Sequence, residues 1–342
     1  MKKFLLTESG NYYKANLHCH TNISDGRLTP EEIKEAYMAR GYSIVAYTDH
    51  DILVGHNDLT DDKFLALNGY EMEANETGDK PFDLKKTCHM CFIALEPDNL
   101  NQVCYHRTKF KLPGFAPYED KIIYDKSLPD YERDHSVETV NDMFKKGRDG
   151  GFFVTYNHPA WSLENYEDYS NFEGMNALEI HNTAGLVNGH NDYCEMVYDD
   201  MLRLGKRIFC IAADDNHNKK PFDSRFNDSF GGFTMIKAEK LEYKAITDAL
   251  LAGNFYCSQG PEIYDLWIEG DFVHITCSDA DKIVLHTGVR TTGIRYAENG
   301  VMLNKASFSL RDNYGYFRIT VTDKNGKVAN TNAYFIDEVY KK

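Results

Sequence analysis

From residue 15 to about residue 255, short apolar, β-rich runs alternate with helix-like stretches, the pattern of repeated β/α units. Strands are expected at 14–20, 43–47, 64–67 running on into Gly69-Tyr70-Glu71-Met72-Glu73, 89–95, 152–156, 177–182, 207–212 and 233–236. Helices are expected over 30–40, 137–148, 193–204 and 244–252. The first is marked at both ends: Thr29 can cap it, Pro30 suits its first position, Glu31 and Glu32 suit the positive end of its dipole, and Gly41 stops it. Beyond residue 260 the period changes to short alternating strands at 262–269, 272–277, 282–286, 306–310, 316–322 and 333–336, separated by Gly, Asp and Asn turns. The expected fold class is therefore α/β: a barrel of β/α units over 1–260, then a small antiparallel, sandwich-like β domain over 261–342. Residues 96–133 carry Pro113, Pro117 and Pro129 and no period, and an insertion of that length is expected to shape a pocket or act as a lid.

Most of the expected strands end in His, Asp or Glu. In a β/α barrel the C-terminal strand ends converge on one face, so polar groups far apart in sequence can meet there. On a strand through Asn16-Leu17-His18-Cys19-His20, His18 and His20 share one side and Leu17 and Cys19 the other. Asp25, on the Ser24-Asp25-Gly26 turn, can reach the same spot. Six of the 13 histidines sit at strand ends beside an acid or a Pro turn: His18, His20, His50, His89, His158 and His217. With Asp25, Glu71 and Asp215 they offer nitrogen and oxygen ligands enough for two or three transition-metal ions, and too many for one tetrahedral site. Burying that many polar groups together without metals is costly. His56, His106, His135, His190, His274 and His286 lack such a setting and read as structural or surface residues.

A net charge of −15 argues against a broad surface for nucleic acid or anionic membrane, since phosphate binding relies on clustered Lys and Arg. It leaves room for an anionic substrate held by metal ions, whose own charge dominates locally. The 8 cysteines are scattered in apolar or mixed surroundings, as buried free thiols of a reducing compartment would be, and one CxxC spacing occurs, at Cys88-His89-Met90-Cys91. Only Phe4, Leu5 and Leu6 are apolar after the basic start, too few for a signal peptide, and no later run approaches membrane-spanning length. A cytoplasmic protein is expected.

The motifs His18-x-His20 with Ser24-Asp25-Gly26, Thr48-Asp49-His50-Asp51, Gly69-Tyr70-Glu71, the isolated His89, Asn157-His158-Pro159 and Asp215-Asn216-His217 form an ordered set. Together, over roughly 14–260, they resemble the polymerase and histidinol phosphatase (PHP) family of metal-dependent phosphoesterases. The resemblance implies a distorted (β/α)7, TIM-like barrel with two or three divalent ions, usually manganese, zinc or iron. The helix end at 249–256 followed by β strands looks like a two-domain branch of that family. Position by position, the resemblance puts His18, His20, Glu71 and Asp215 on one metal, with Glu71 bridging to a second held by His89 and His158. Asp25, His50 and His217 would hold a third. Glu73 points the same way as Glu71 on an extended chain and is the competing bridge; the Gly69-x spacing favours Glu71.

Such a centre implies hydrolysis of a small phosphomonoester or a nucleotide-type phosphoester by a hydroxide bridging two ions about 3.5–4 Å apart. Arg matches phosphate with two parallel donors, which makes Arg225 the first candidate to orient the substrate and Arg27 the second. His181, at another expected strand end, is a candidate substrate ligand or general acid, or else the support of a metal ligand. Two other readings share the site: an amidohydrolase-like enzyme acting on C–N or carboxylic ester bonds, and a non-catalytic metal-binding regulatory module.

Overall fold

The computed structural model describes residues 2–340. In chain order its elements begin with β1 (Lys2–Phe4), β2 (Asn11–Asn16), α1 (Pro30–Met38), β3 (Ile44–Tyr47), β4 (Leu65–Asn75) and β5 (Thr87–Ala94). Next come α2 (Val137–Asp149), β6 (Phe152–Tyr156), α3 (Tyr166–Tyr169), β7 (Ala177–Asn182), α4 (Thr183–Val187), α5 (Glu195–Arg203) and β8 (Phe209–Ala213). Then follow β9 (Phe233–Ala238), α6 (Tyr243–Ala252), β10 (Phe255–Ser258), β11 (Ile263–Glu269), β12 (Phe272–Ala280) and β13 (Lys282–Thr287). The chain closes with β14 (Gly293–Tyr296), β15 (Leu303–Ser309), β16 (Tyr316–Thr322), β17 (Val328–Thr331), β18 (Tyr334–Phe335) and α7 (Ile336–Val339). The start of α1 is set as its sequence predicts: Thr29 and Glu32 form a reciprocal capping box, and Gly41, at φ 77°, takes the left-handed turn beyond its end.

The strands form two sheets. A small antiparallel one has the order β1-β11-β12-β15, and a large mixed one runs β14-β13-β16-β17-β10-β9-β2-β3-β4-β5-β6-β7-β8, with β18 paired to β16. Strands β2, β3 and β4 are parallel, as are β6, β7 and β8, while β5 is antiparallel to both its neighbours. This departs from an unbroken succession of β/α units. Strand β4 runs on to Asn75 and returns as β5 with no α-helix between them, and residues 96–133 hold only two short 3-10 turns. Nor does the sheet stop near residue 260: β17 pairs with β10, and β1 pairs with β11. No helix among the described residues is long and apolar enough to cross a membrane.

Alternation along the strands explains where the core ends and the polar site begins. Ala15, Leu17, Ile44, Ala46, Leu65, Leu67, Ile93, Phe153, Ala177 and Ile211 come from seven strands or their ends yet form one buried cluster, closed by Ile246 and Leu250 of α6, so the sheet curls around them. The opposite face packs separately, with Tyr70, Met72, Phe92, Val154 and Leu178 against Met143 and Phe144 of α2 and Tyr198 and Met201 of α5. Two residues beyond Leu67, Ile93 and Ala177 on the inner side, the strands carry Gly69, Cys91 and Glu179. One further step brings Glu71 and His89 to the same level. Because β5 runs backwards, its N-terminal end lies beside the C-terminal ends of its neighbours, which is how a histidine near a strand start joins residues at strand ends.

Candidate metal centre

Strand β2 stops at Asn16, so His18 and His20 lie on an irregular segment just beyond it. Leu17 packs in the inner cluster and Cys19 in a different one, so the two do not share a face as a regular strand would require. The histidines meet nonetheless, with their Nε2 atoms 3.1 Å apart. The segment is held by pairing to the chain beyond β8: Asp215 N–H donates to His18 O at 3.0 Å and His20 N–H to Asn216 O at 3.1 Å.

Glu71, 1% exposed, is the hub. Its Oε1 lies 3.2 Å from His18 Nε2, 3.2 Å from His89 Nδ1 and 3.3 Å from His158 Nε2, and its Oε2 lies 3.3 Å from His20 Nε2 and 3.2 Å from His50 Nδ1. Asp215 Oδ1 lies 2.9 Å from His20 Nε2 and 3.2 Å from His18 Nε2. Asp25 Oδ1 stands 3.2 Å from His217 Nε2 and 3.7 Å from His50 Nε2. Ligand-type atoms of His18, His20, Glu71 and Asp215 thus fall within 4.8 Å of one another, as do those of His20, Asp25, His50 and His217, and those of His50, Glu71 and His89. Glu73, the competing carboxylate, sits to one side, with Oε2 3.5 Å from His89 Nε2 and its side chain 26% exposed.

The donor set fits divalent cations. His20 Nδ1, Asp25 Oδ1, Glu71 Oε2 and His89 Nε2 are buried without a hydrogen-bond partner, and burying such atoms unsatisfied is costly unless a cation takes them up. Burial pushes the Glu71 carboxyl up, but the charges of His18 and His89 and hydrogen bonds from His158 and His18 outweigh it and hold it well below the usual range. Burial and the neighbouring His20 push His50 down to about 3, leaving a neutral ring able to ligate. Backbone strain gathers here as well: Asp51, His158 and Asp215 adopt φ of 56°, 27° and 54°.

Several supporting residues carry no motif of their own. Glu179, fully buried on β7, lies with Oε1 3.0 Å from His18 Nδ1 and accepts His158 N–H at 3.2 Å and the Asn182 amide at 2.8 Å. An acid between Leu178 and Ile180, two residues beyond Ala177, was the available signal, because alternation puts it inside. Asp49 accepts Thr21 N–H and Oγ1 and Ser24 N–H and Oγ at 2.6–3.1 Å, fixing the turn that presents Asp25. Asp228 accepts the His217 N–H at 2.9 Å. Arg133, whose side chain is 1% exposed, pairs with Asp51 at 2.6 Å, immediately after His50.

The centre opens into a cavity of about 480 Å³ lined on its other walls by Phe82, Trp161, Asn182, Val187, Asn188, Lys219, Lys220 and Phe226. Arg225 and Arg27 are exposed and outside that lining, so the cations facing the cavity are Lys219 and Lys220 instead. Arg27 lies beyond a turn that points Asp25, not its own side chain, inward, its backbone N–H bonded to His217 O. His181 is buried away from the cavity, held by Gln259 Nε2 at 2.8 Å and Thr183 Oγ1 at 3.1 Å. Residues 96–133 supply none of the lining; they pack Phe115 and Ile122 against Ile23 and Ile52.

No family model matches the chain. Over 42 residues it is 43% identical to a 5'-3' exoribonuclease of Haemophilus influenzae, a match covering 12% of this chain and 15% of that protein. Among solved structures, it is similar to a two-domain Bacteroides vulgatus protein described as containing a predicted PHP-like metal-dependent phosphoesterase (TM-score 0.45, 13% identity, 97% of this chain and 89% of that one). It is also similar to a Bifidobacterium adolescentis protein whose description as a metal-dependent phosphoesterase is likewise a prediction (TM-score 0.37, 16% identity, 63% of this chain and 92% of that one). A third is an amidohydrolase of Chromobacterium violaceum (TM-score 0.37, 16% identity, 59% of this chain and 87% of that one). Likenesses this distant supply no chemistry; that comes from the centre itself.

Proposed function

We propose that the chain is a PHP-type, metal-dependent hydrolase of small phosphate esters, using His18, His20, Asp25, His50, Glu71, His89, His158, Asp215 and His217 to hold two or three manganese, zinc or iron ions. The observation that carries this reading is the buried Glu71 carboxylate within 3.3 Å of five imidazoles, in a cluster that leaves four ligand-type atoms without hydrogen-bond partners. Divalent ions bound there supply Lewis acidity, lowering the pKa of water toward neutrality and offsetting charge on ester oxygens. The chain's own residues do the positioning. Glu71 is shared among the ligand groups, Glu179 orients the His18 ring through Nδ1, and Asp49 and Asp228 fix the loops of Asp25 and His217. Lys220 and Lys219, the latter paired with Asp25 at 2.9 Å, are the cations of a lining that also carries Asp228, and they are the groups available to an anionic ester.

The same proposal includes a distorted (β/α)7 barrel of β2 to β8 within 1–260, supported by the hydrogen bonds joining Asp215 and Asn216 to His18 and His20, with 261–342 as an added β unit. A reducing, cytoplasmic setting is supported by the 8 cysteines being buried free thiols. The test is turnover of phosphomonoesters by the purified protein loaded with manganese, zinc or iron, before and after chelation. Release of phosphate that chelation abolishes supports the reading. Turnover of amides or carboxylic esters alone moves it to the amidohydrolase class, and no turnover with fully loaded metal sinks it.

A further inference from the structure

The ligand groups of the centre are held unequally. His18, His20 and Glu71 are fully buried, whereas Asp25, His50 and His217, which form the outer group with His20, are part-exposed and lie on loops. Two of those loops are gripped by residues 96–133. Gly114 sets its backbone so closely on the turn before Asp25 that a methyl group at its Cα would overlap Ile23 O and stand 2.9 Å from Asn22 O. The buried Gln102 accepts the Leu53 N–H at 3.0 Å and donates to Asp51 O at 2.8 Å, clasping the chain just after His50. Ile23 and Ile52, each two residues from a ligand, pack on Phe115 and Ile122, and Arg133 pairs with Asp51 at 2.6 Å. Glu71 is carried instead by the pairing of β4 with β5, and His18 and His20 by the pairing of their segment to 215–216. A loop that must be ordered before it can ligate loses affinity by the entropy of ordering, and a brace that orders it beforehand removes that cost.

We propose that residues 96–133 brace the outer cation position of His20, Asp25, His50 and His217, with Gly114 and Gln102 as its positioning residues. Filling of that position then depends on them, and filling of the inner position of His18, His20, Glu71 and Asp215 does not. The proposal rests on the metal-dependent reading above and deepens it: the segment supplies none of the cavity's lining, so it acts on the number of ions held and not on the substrate. Losing a group that orients a metal ligand weakens binding by about 10–100-fold, and here the loss should fall on the outer ion alone.

The test is calorimetric titration of manganese into the chelator-stripped full chain, with elemental analysis of the ions retained and far-ultraviolet dichroism of every sample. The binding step that His217→Ala abolishes identifies the outer position. In Gln102→Met, which keeps the side chain's length but loses both hydrogen bonds, and in Gly114→Ala, that step should weaken about ten-fold or more while the remaining steps stay within about two-fold. Leu128→Ala, at an exposed position of the same segment, should change no step. Adding Gln102→Met to His217→Ala should cost the remaining steps nothing further, a non-additivity that a general loosening of the fold would not produce. Equal weakening of every step, unchanged titrations in both brace variants, further loss in the double variant, or a His217→Ala protein that keeps every step overturns the proposal. Should Gly114→Ala lose its dichroism, Gln102→Met and the double variant decide. A parent protein that binds no manganese fails differently: it sinks the metal-dependent reading itself, and the brace with it.

Discussion

Replacing Glu179 by Gln tests whether the centre works as a shaped ligand set or merely as a collection of donors. The carboxylate accepts from His18 Nδ1, His158 N–H and the Asn182 amide, and it is fully buried. Holding the Nδ1 proton of His18 leaves Nε2 free to face Glu71 and Asp215, each 3.2 Å away. Gln keeps the shape but has one acceptor oxygen for three donors and no charge to raise the basicity of the ring. Loss of such a partner costs about 10–100-fold in metal affinity, or roughly 1.4–2.7 kcal/mol. Glu179→Ala goes further, stranding three buried donors at about 1–3 kcal/mol each, and should lower the stability of the metal-free fold by several-fold the effect of Gln. The assay is calorimetric titration of manganese into chelator-stripped protein, with thermal unfolding of the same samples. A Gln variant that binds manganese within two-fold of the parent would refute the role assigned to Glu179.

His18→Ala should abolish tight metal binding and hydrolysis together while leaving the far-ultraviolet dichroism unchanged, since the apolar layer of the curled sheet does not include it; full activity would refute its place in the centre. Lys220→Ala should raise KM for an anionic ester about five-fold or more, whereas Arg225→Ala and Arg27→Ala, outside the cavity, should change kcat/KM by less than that. Burial and Lys327 push His181 down to about 4, and burial and Arg318 push His286 to about 4. The unfolded chain, with ordinary values near 6.5, therefore takes up these protons first, so stability falls as pH drops from about 6.5 to 4. The loss is about 3 kcal/mol for His181 and less for the 24% exposed His286; denaturation midpoints of His181→Gln should fall less steeply over that window than the parent's. Arg318→Met should cost about 3–5 kcal/mol in urea unfolding, because the buried guanidinium of β16 holds Asp199 at 2.8 Å and Glu195 at 2.9 Å on α5.

What the sequence by itself determined was local. Thr29, Pro30 and Gly41 bounded α1 because capping and left-handed turns depend on neighbouring backbone atoms alone. The ligand-type residues stood out because His and acids at the ends of apolar runs are costly to bury without purpose. Tertiary structure decided the rest. Whether the strand with His89 ran forward or backward depended on its pairing with β4 and β6, which no local period reports. Glu179 entered the centre through the inward side of a curled sheet, and the pocket's cations turned out to be Lys219 and Lys220 because a loop's path, not its composition, sets which side chains face a cavity. Likewise β17 joined β10 across the composition change near residue 260, since hydrogen bonding between strands is indifferent to the sequence period on either side.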